Sequence, residues 1–567
     1  MRNRSFIHPK HKTTVFLIVV LIFFVSCNAR RYDVVIYGGT SAGISAAIQT
    51  SRMGKTVVLI EPTQRFGGLT TGGLGATDIG NKQAIGGISI EFYRNIRKYY
   101  DDSIVWKWQQ QGNYTPGRNE DAMWTFEPSA ALEVYWKMIE PEEIDIVFGE
   151  RLNRQYGVRK NGNKITEIEM ENGSLYRGRM FIDATYEGDL MASAGVSYTI
   201  GRESNSEYVE NLNGIQANKT SLTFLGRVSR NQFNHNFING VDPYIVKGDS
   251  SSGLLPFIEK EPIGTDGQGD KRIQAYCYRM TLTNHPGNRI LFVKPEGYKE
   301  LDYELLFRNY ETAKGSVEKM YSYGDPLVPW INSRMPNRKT DTNNQKGFST
   351  DFIGQNYAYP EASYEEREKI ARRHLKYQQG LMWTLAYHPR IPQKVRIAVS
   401  QWGMCRDEFI GNGGWTGQLY IREARRLVSD YVMTQRNCEG LTIASDAIGL
   451  GAYGMDSHHV QRYVDSTGFV QNEGNVEGPV AGPYPVSYRS IIPKAGECSN
   501  LFIPVCLSAT HIAYGSIRME PVFMILGQSA ATAACMAIDE RLIVQEVPYQ
   551  PLKEKLLKDG QILSGNN

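Results

Sequence analysis

The stretch that decides the fold is Asp33–Ala47, "DVVIYGGTSAGISAA". Its first half belongs to "YDVVIYGG", a β-branched run ending in glycine, which reads as a buried parallel strand. "SAGISAAIQTSRMG" follows with small residues at helical spacing, and Gly54 suits a helix C-cap. "KTVVLIEP" is a second β-branched run carrying Glu61 at its end. Strand, glycine turn, helix, strand and terminal acid make one βαβ unit of the dinucleotide-binding kind. Gly38 makes the tight turn, with Gly39 adding freedom beside it. Gly43 lets the helix pack close to the strand, and Glu61 stands where an acid binds an adenosine ribose. Thr40 takes the position where a backbone normally approaches a pyrophosphate.

Three further segments bear on which dinucleotide is bound. "RFGGLTTGGLGATDIG", Arg65–Gly80, is a second glycine cluster directly after the second strand. Its backbone amides around Gly67, Gly68, Thr70, Gly72 and Gly73 can cradle a pyrophosphate or border a flavin ring. A simple NAD domain has no need of it. "MFIDATYEGDLMASAGV", from Met180, reads as a strand running into Ala184-Thr185, then Gly188-Asp189 and a helix. Tyr186 replaces a glycine that is frequent there. "LFIPVCLSATHIAYGSIRMEPVFMILGQSAATAACMAI", Leu501–Ile538, contains Arg518 and a helix opened by Pro521. Small residues such as Gly527 give that helix close packing surfaces, and its positive N-terminus would favour an anionic reduced flavin. Together these segments indicate FAD.

The features "YGGTSAGISAA", "GGLTTGGLGATD", "IDATYEGDL", "YIREARRL", "YGMDSHHVQRY" and "SATHIAYGSIRMEP" also carry a family resemblance. The chain resembles FAD-dependent oxidoreductases related to the flavin domain of heterodisulfide reductase, in particular an exported bacterial branch. The resemblance implies an α/β fold: a two-dinucleotide-fold (glutathione-reductase-like Rossmann) FAD domain, discontinuous, with an inserted α+β substrate or cap domain. On that reading the FAD domain comprises residues 33–198 and 496–543. The substrate domain is 199–495, and 544–567 is an extended tail on the surface. The family's iron–sulfur ligands are missing, since none of the seven cysteines forms a C-x-x-C pair. Cys498 and Cys506 are close enough in sequence for a disulfide, with buried free thiols the alternative.

Residues 1–26 read as a signal peptide. A basic start ends at Lys12, and the apolar run "VFLIVVLIFFVS", Val15–Ser26, is too short to span a bilayer as a helix. Ser26-Cys27 resembles the lipobox of bacterial lipoproteins. This predicts an exported, periplasmic or outer-membrane protein touching membrane only through a lipid anchor. Ordinary cleavage near Ala29 and a retained anchor are the alternatives. The formal net charge is +3, and Arg2, Arg4, Lys10 and Lys12 supply four positive charges. The remainder is near neutral, which gives no support for a nucleic-acid partner.

Chemistry clusters in the second half. Flavin oxidation of an alcohol or amine needs a base for the O–H or N–H proton, and histidine suits that work. The candidates for the base are His458 and His459, with His511 or Arg489 orienting the oxygen and with Tyr488 and Glu520 next in line as the base. Adjacent histidines point different ways in regular structure, so at most one of His458 and His459 faces the flavin. No ligand spacing supports a metal there. The expected reaction moves hydride from a C–H of a small-molecule or carbohydrate donor to FAD. The final electron acceptor is unassigned by any motif. A C=C reductase fed by a partner, and a non-catalytic glycan-binding lipoprotein on a flavin fold, are the alternatives. "SYEEREKIARRHLKYQQGLMWTLAYHP", Ser363–Pro389, reads as a long helix, and "NSRMPNRKTDTNNQKG", residues 332–347, as a solvated loop.

Overall fold

A computed structural model of the chain describes residues 30–116, 120–217, 235–314 and 327–565. The signal segment and Cys27 lie outside the described residues. Strand β1 (Arg30–Tyr37), helix α1 (Ser41–Arg52) and strand β2 (Val57–Glu61) form the expected βαβ unit. Every residue of β2 is buried, as befits a parallel strand covered on both faces.

Further along come the short helix α2 (Gly68–Thr71), α3 (Gly87–Asp101), α4 (Pro128–Ile139) and strand β3 (Ile144–Phe148). They are followed by β4 (Val158–Asn161), β5 (Lys164–Glu169), β6 (Leu175–Asp183) and helix α5 (Asp189–Ser193). The sheet runs β3-β2-β1-β6-β5-β4, and a seventh strand, Leu501–Phe502, also pairs with β6. Its β1, β2, β3 and β6 contacts are parallel, whereas β4, β5 and β6 form an antiparallel meander. β6 is divided along its length: Leu175–Arg177 pairs with β5, and Phe181–Ile182 pairs in parallel with Leu501–Phe502. A strand from near the end of the chain thus closes the dinucleotide fold.

Helix Glu520–Glu540 returns across the sheet and packs on α1. A Cβ at Gly527 would lie 2.2 Å from the Ala42 carbonyl oxygen, so the two backbones touch. This helix is long and apolar enough to cross a membrane, but it is almost wholly buried in the protein. A helix apolar all round is what a central core position requires.

The inserted part has its own core, drawn mostly from residues 237–415 and built on a five-stranded sheet and helix Tyr364–Tyr387. Ser363 caps that helix by accepting from the Glu366 amide. Three expectations need correction. Residues 199–495 do not share one core: Met433, Ile448, Val486 and Ile492 pack into the first core with helix Glu520–Glu540. Residues 544–567 are not an extended tail, because Tyr549–Lys558 is a helix that buries Leu552 and Leu556 on an apolar i, i+4 face. Residues 332–347 are not a solvated loop. They contain the hairpin Ile331–Met335/Lys339–Asn343, with Lys339, Asp341 and Asn344 buried. Their charges are satisfied inside the fold: Asp341 takes a two-pronged bond from Arg279, and Lys339 meets Glu127, Asp407 and Glu408. The six cysteines among the described residues are buried free thiols, Cys498 and Cys506 included.

Candidate active site

The turn between β1 and α1 borders a cavity of about 220 Å³, which is also lined by Glu61, Gly68, Thr185, Glu187 and Gln418. Gly38 has φ +105°, and a Cβ there would lie 2.8 Å from the Ala184 carbonyl carbon and the Thr185 amide. No side chain fits between the turn and the end of β6. A Cβ at Gly43 would lie 2.0 Å from the Gly38 carbonyl oxygen, so this glycine sets the helix–strand distance. Thr40 fits because its hydroxyl turns inward. It donates to the Ala184 carbonyl at 2.7 Å and accepts from the Gly43 amide at 3.3 Å, capping α1. Glu61 accepts from the Gly39 amide at 2.8 Å and the Thr63 amide at 2.7 Å, and it lines the cavity. Burial pushes its carboxyl above the usual range despite these donors.

Three distant segments meet at Glu520. Its carboxylate accepts from Tyr186 and from Thr70, both at 2.8 Å. Tyr186 also accepts from the Leu69 amide at 2.9 Å. Its hydroxyl occupies the space over Gly68, where a Cβ would lie 2.3 Å away. The tyrosine found in place of the frequent glycine is accommodated because residue 68 lacks a side chain.

Residues 67–78 lead from this cavity to a second one. Gly68 lines the first, while Ala76 and Asp78 line the second, which measures about 280 Å³. A Cβ at Gly73 would lie 2.2 Å from the Arg279 carbonyl oxygen, so this loop lies flat on the inserted part. Gln418 and Leu419 line the first cavity, and the Tyr420 hydroxyl accepts from Arg518 Nη1 at 3.2 Å near the second.

The second cavity is lined by several titratable side chains. His458 lines it, with Nδ1 2.8 Å from Asp351 Oδ2 and Nε2 3.6 Å from Asp456 Oδ2. Burial opposes the charge of Asp351, but Arg422 at 2.9 Å and His458 outweigh it and hold the carboxyl well below its usual range. For Asp456 burial is likewise outweighed, by His458 and Arg518, which bring it down to about 2. Glu477 stands directly across the strand pair from Asp456, and burial together with Asp456 pushes it up to about 7. Asp351 as a carboxylate accepts from Nδ1 of His458, which leaves Nε2 as the nitrogen on the side of Asp456 and the cavity.

The other expected site residues fall as follows. Gly38, Thr40, Glu61, Gly68, Thr185 and Asp189 line the first cavity. Gly67, Gly68 and Gly73 take positive φ, and Gly72 backs onto Gln418. The Gly188 amide donates to Thr185 Oγ1 at 3.0 Å, closing the turn after Ala184. Several assignments change. The Asp189 carboxylate is occupied by Arg367 and Arg425 at 2.6–2.9 Å, which ties helix Tyr364–Tyr387 to the dinucleotide fold. Arg518 lies beside the second cavity, paired with Asp456 at 3.2 Å, and does not line the first. Tyr488 donates to the Val544 carbonyl, and Arg489 is a half-exposed partner of Asp446; neither lines either cavity. His459 turns away to the His235 carbonyl, and burial lowers it to about 4. His511 has both nitrogens engaged, Nδ1 by Glu423 at 2.8 Å and Nε2 by Ser457 at 2.9 Å.

Asp78, Asn344, Asp351 and Glu477 are site residues that the sequence did not single out. Asp78 had a signal, since it ends the second glycine cluster. The others sit in polar stretches with no distinguishing pattern.

The first cavity answers the requirements of FAD from its own geometry. It offers a side-chain-free turn at a helix N-terminus, a buried ribose-side acid and a second glycine loop leading to a polar chamber. These features define a dinucleotide-binding flavoprotein. The chain belongs to the FAD dependent oxidoreductase family, whose model matches residues 33–556. It is an FAD-dependent oxidoreductase.

No curated protein matches it. Among solved structures it is similar to AlpK at 14% identity, over 30% of this chain and 35% of that one, with a TM-score of 0.22. L-proline dehydrogenase from P. horikoshii is 15% identical over 31% and 59%, TM-score 0.22. Thioredoxin reductase of T. acidophilum is 17% identical over 34% and 42%, TM-score 0.17. The matched regions thus span between about a third and three fifths of those chains.

Proposed function

We propose that this enzyme oxidises an alcohol carbon of a polar donor, a carbohydrate or polyol, as a dehydrogenase or oxidase. The observation that carries the reading is His458, held by Asp351 with its second nitrogen presented to a polar cavity. When bound, FAD supplies the two-electron acceptor for the C–H bond that breaks. The chain supplies the proton chemistry. Nε2 of His458 takes the donor's O–H proton as the carbonyl forms, and Asp351 stabilises the resulting imidazolium. Asp456, paired with Arg518 at 3.2 Å, lies 3.6 Å from the same nitrogen. Removing a general base costs about 10²–10⁴ in rate. The test is anaerobic single-turnover flavin reduction by hexoses and hexitols. His458→Ala should lose that factor while keeping its FAD, and an unchanged rate sinks the assignment.

Export belongs to the same reading, supported by the basic start, the short apolar run and Ser26-Cys27. So does kinship with the flavin domain of heterodisulfide reductase and its exported branch, supported by the motifs quoted above. Cys27→Ala should move the protein from the membrane fraction to the soluble periplasm. A wholly soluble unaltered protein would leave plain secretion.

A further inference from the structure

The second cavity is unevenly furnished. Its arginine, Arg279, is locked by two bonds to Asp341, Nε to Oδ1 at 2.7 Å and Nη2 to Oδ2 at 2.9 Å. Behind the lining, Arg422 is paired with Asp351 and Arg518 with Asp456. Each of these guanidinium charges is already balanced by a carboxylate.

The acceptors differ. Asp78 lines the cavity and forms no ion pair within 4 Å and no hydrogen bond with a described residue. Glu477 has no arginine or lysine partner among the described residues: its contacts are the side chain of Asn475 and His235, the latter at 3.8 Å. His235 is neutral there, since burial and the neighbouring histidines lower it to about 3. Asn344 is 2% exposed and lines the cavity, and its side-chain oxygen is buried without a hydrogen-bond partner. A buried acceptor left unpaired costs roughly 1–3 kcal/mol, which a ligand hydroxyl would recover.

We propose that Asp78, Asn344 and Glu477 form an acceptor wall that fixes the substrate class: an uncharged, hydroxyl-rich donor enters, and its carboxylic-acid counterpart is rejected. The proposal rests on the alcohol-oxidation reading of the same cavity. Hydroxyls satisfy the open acceptors as donors. A carboxylate would bring a further negative charge into a cavity lined by ionised Asp456 as well as by Asp78 and Glu477, and would find no unpaired arginine or lysine among the described lining residues. Like charges brought together in this way oppose binding strongly.

The test uses the FAD-loaded protein, with ligand binding followed by flavin absorbance and by calorimetry. The probes are galactose, galactitol and galacturonic acid. The neutral pair should bind at least about tenfold more tightly than the acid. In Asp78→Asn/Glu477→Gln the gap should close to severalfold. The two single variants serve if the double variant does not fold, each closing part of the gap. Equal affinity for the acid, no binding of either neutral probe, or a gap unchanged in the variants overturns the proposal. Neutral binding with the expected gap but without anaerobic bleaching supports the acceptor wall and sinks alcohol oxidation instead.

Discussion

His458 Nδ1 lies 2.8 Å from Asp351 Oδ2, across 107 positions of sequence. The pair joins a histidine beside the strand Met455–Ser457 to a loop that follows the buried hairpin. Arg422, on the far side of Asp351, keeps the carboxylate ionised and so fixes which imidazole nitrogen carries the proton.

Asp351→Asn should therefore damage catalysis while His458 stays in place. The amide cannot stabilise the imidazolium and can present its NH₂ to Nδ1, favouring the wrong tautomer. We expect single-turnover reduction to slow by at least about 10² with FAD content retained. A variant that reduces its flavin at the unaltered rate would remove Asp351 from the proton chemistry.

Gly43→Val should abolish FAD binding. The new Cβ would meet the Gly38 carbonyl oxygen at 2.0 Å and force α1 off the turn. The ratio of flavin to protein absorbance after purification and reconstitution reads the loss. Full FAD occupancy in a folded variant would contradict the packing described.

Glu477 gives stability a pH dependence with a defined sign. Burial and Asp456 lift it from 4.5 to about 7 in the fold. The folded protein thus holds a proton that the unfolded chain releases, and stability falls as pH rises from about 4.5 through about 7. Glu477→Gln lacks this proton. Its melting temperature should gain on that of the unaltered protein between those limits, as followed by calorimetry. A constant difference would remove Glu477 from the account.

Lys339→Met should be strongly destabilising. Its ammonium is nearly fully buried and meets Glu127 at 2.7 Å, Glu408 at 2.8 Å and Asp407 at 2.9 Å. Removing the cation leaves buried carboxylates facing one another, at a cost of about 3–5 kcal/mol. Denaturant titration measures it, and a loss under about 1 kcal/mol would show that water or proton uptake replaces the lysine.

Much of the dinucleotide fold was legible because its signals are local. A β-branched run, a glycine needing positive φ, a small-residue helix and a terminal acid each follow from neighbours in sequence. The polar insert was not legible in that way. "NSRMPNRKTDTNNQKG" has the composition of a solvated loop, and only contact with Arg279, Glu127 and Glu408 makes its burial tolerable. Tyr488 and Arg489 looked chemically apt, yet their partners lie at Val544 and Asp446, away from both cavities.

The sequence by itself determined that this chain builds a βαβ dinucleotide fold around Gly38, Gly43 and Glu61, because backbone sterics and hydrophobic periodicity act over a few residues. The tertiary structure alone decided which polar groups meet at the second cavity. Asp78, Asn344 and Asp351, Asp456 and His458, and Glu477 come from four stretches of the chain that are far apart in sequence or joined only by folding. Charge pairing and desolvation, which depend on distance in space and not on order in the chain, make one histidine face a cavity and turn its neighbour into the core.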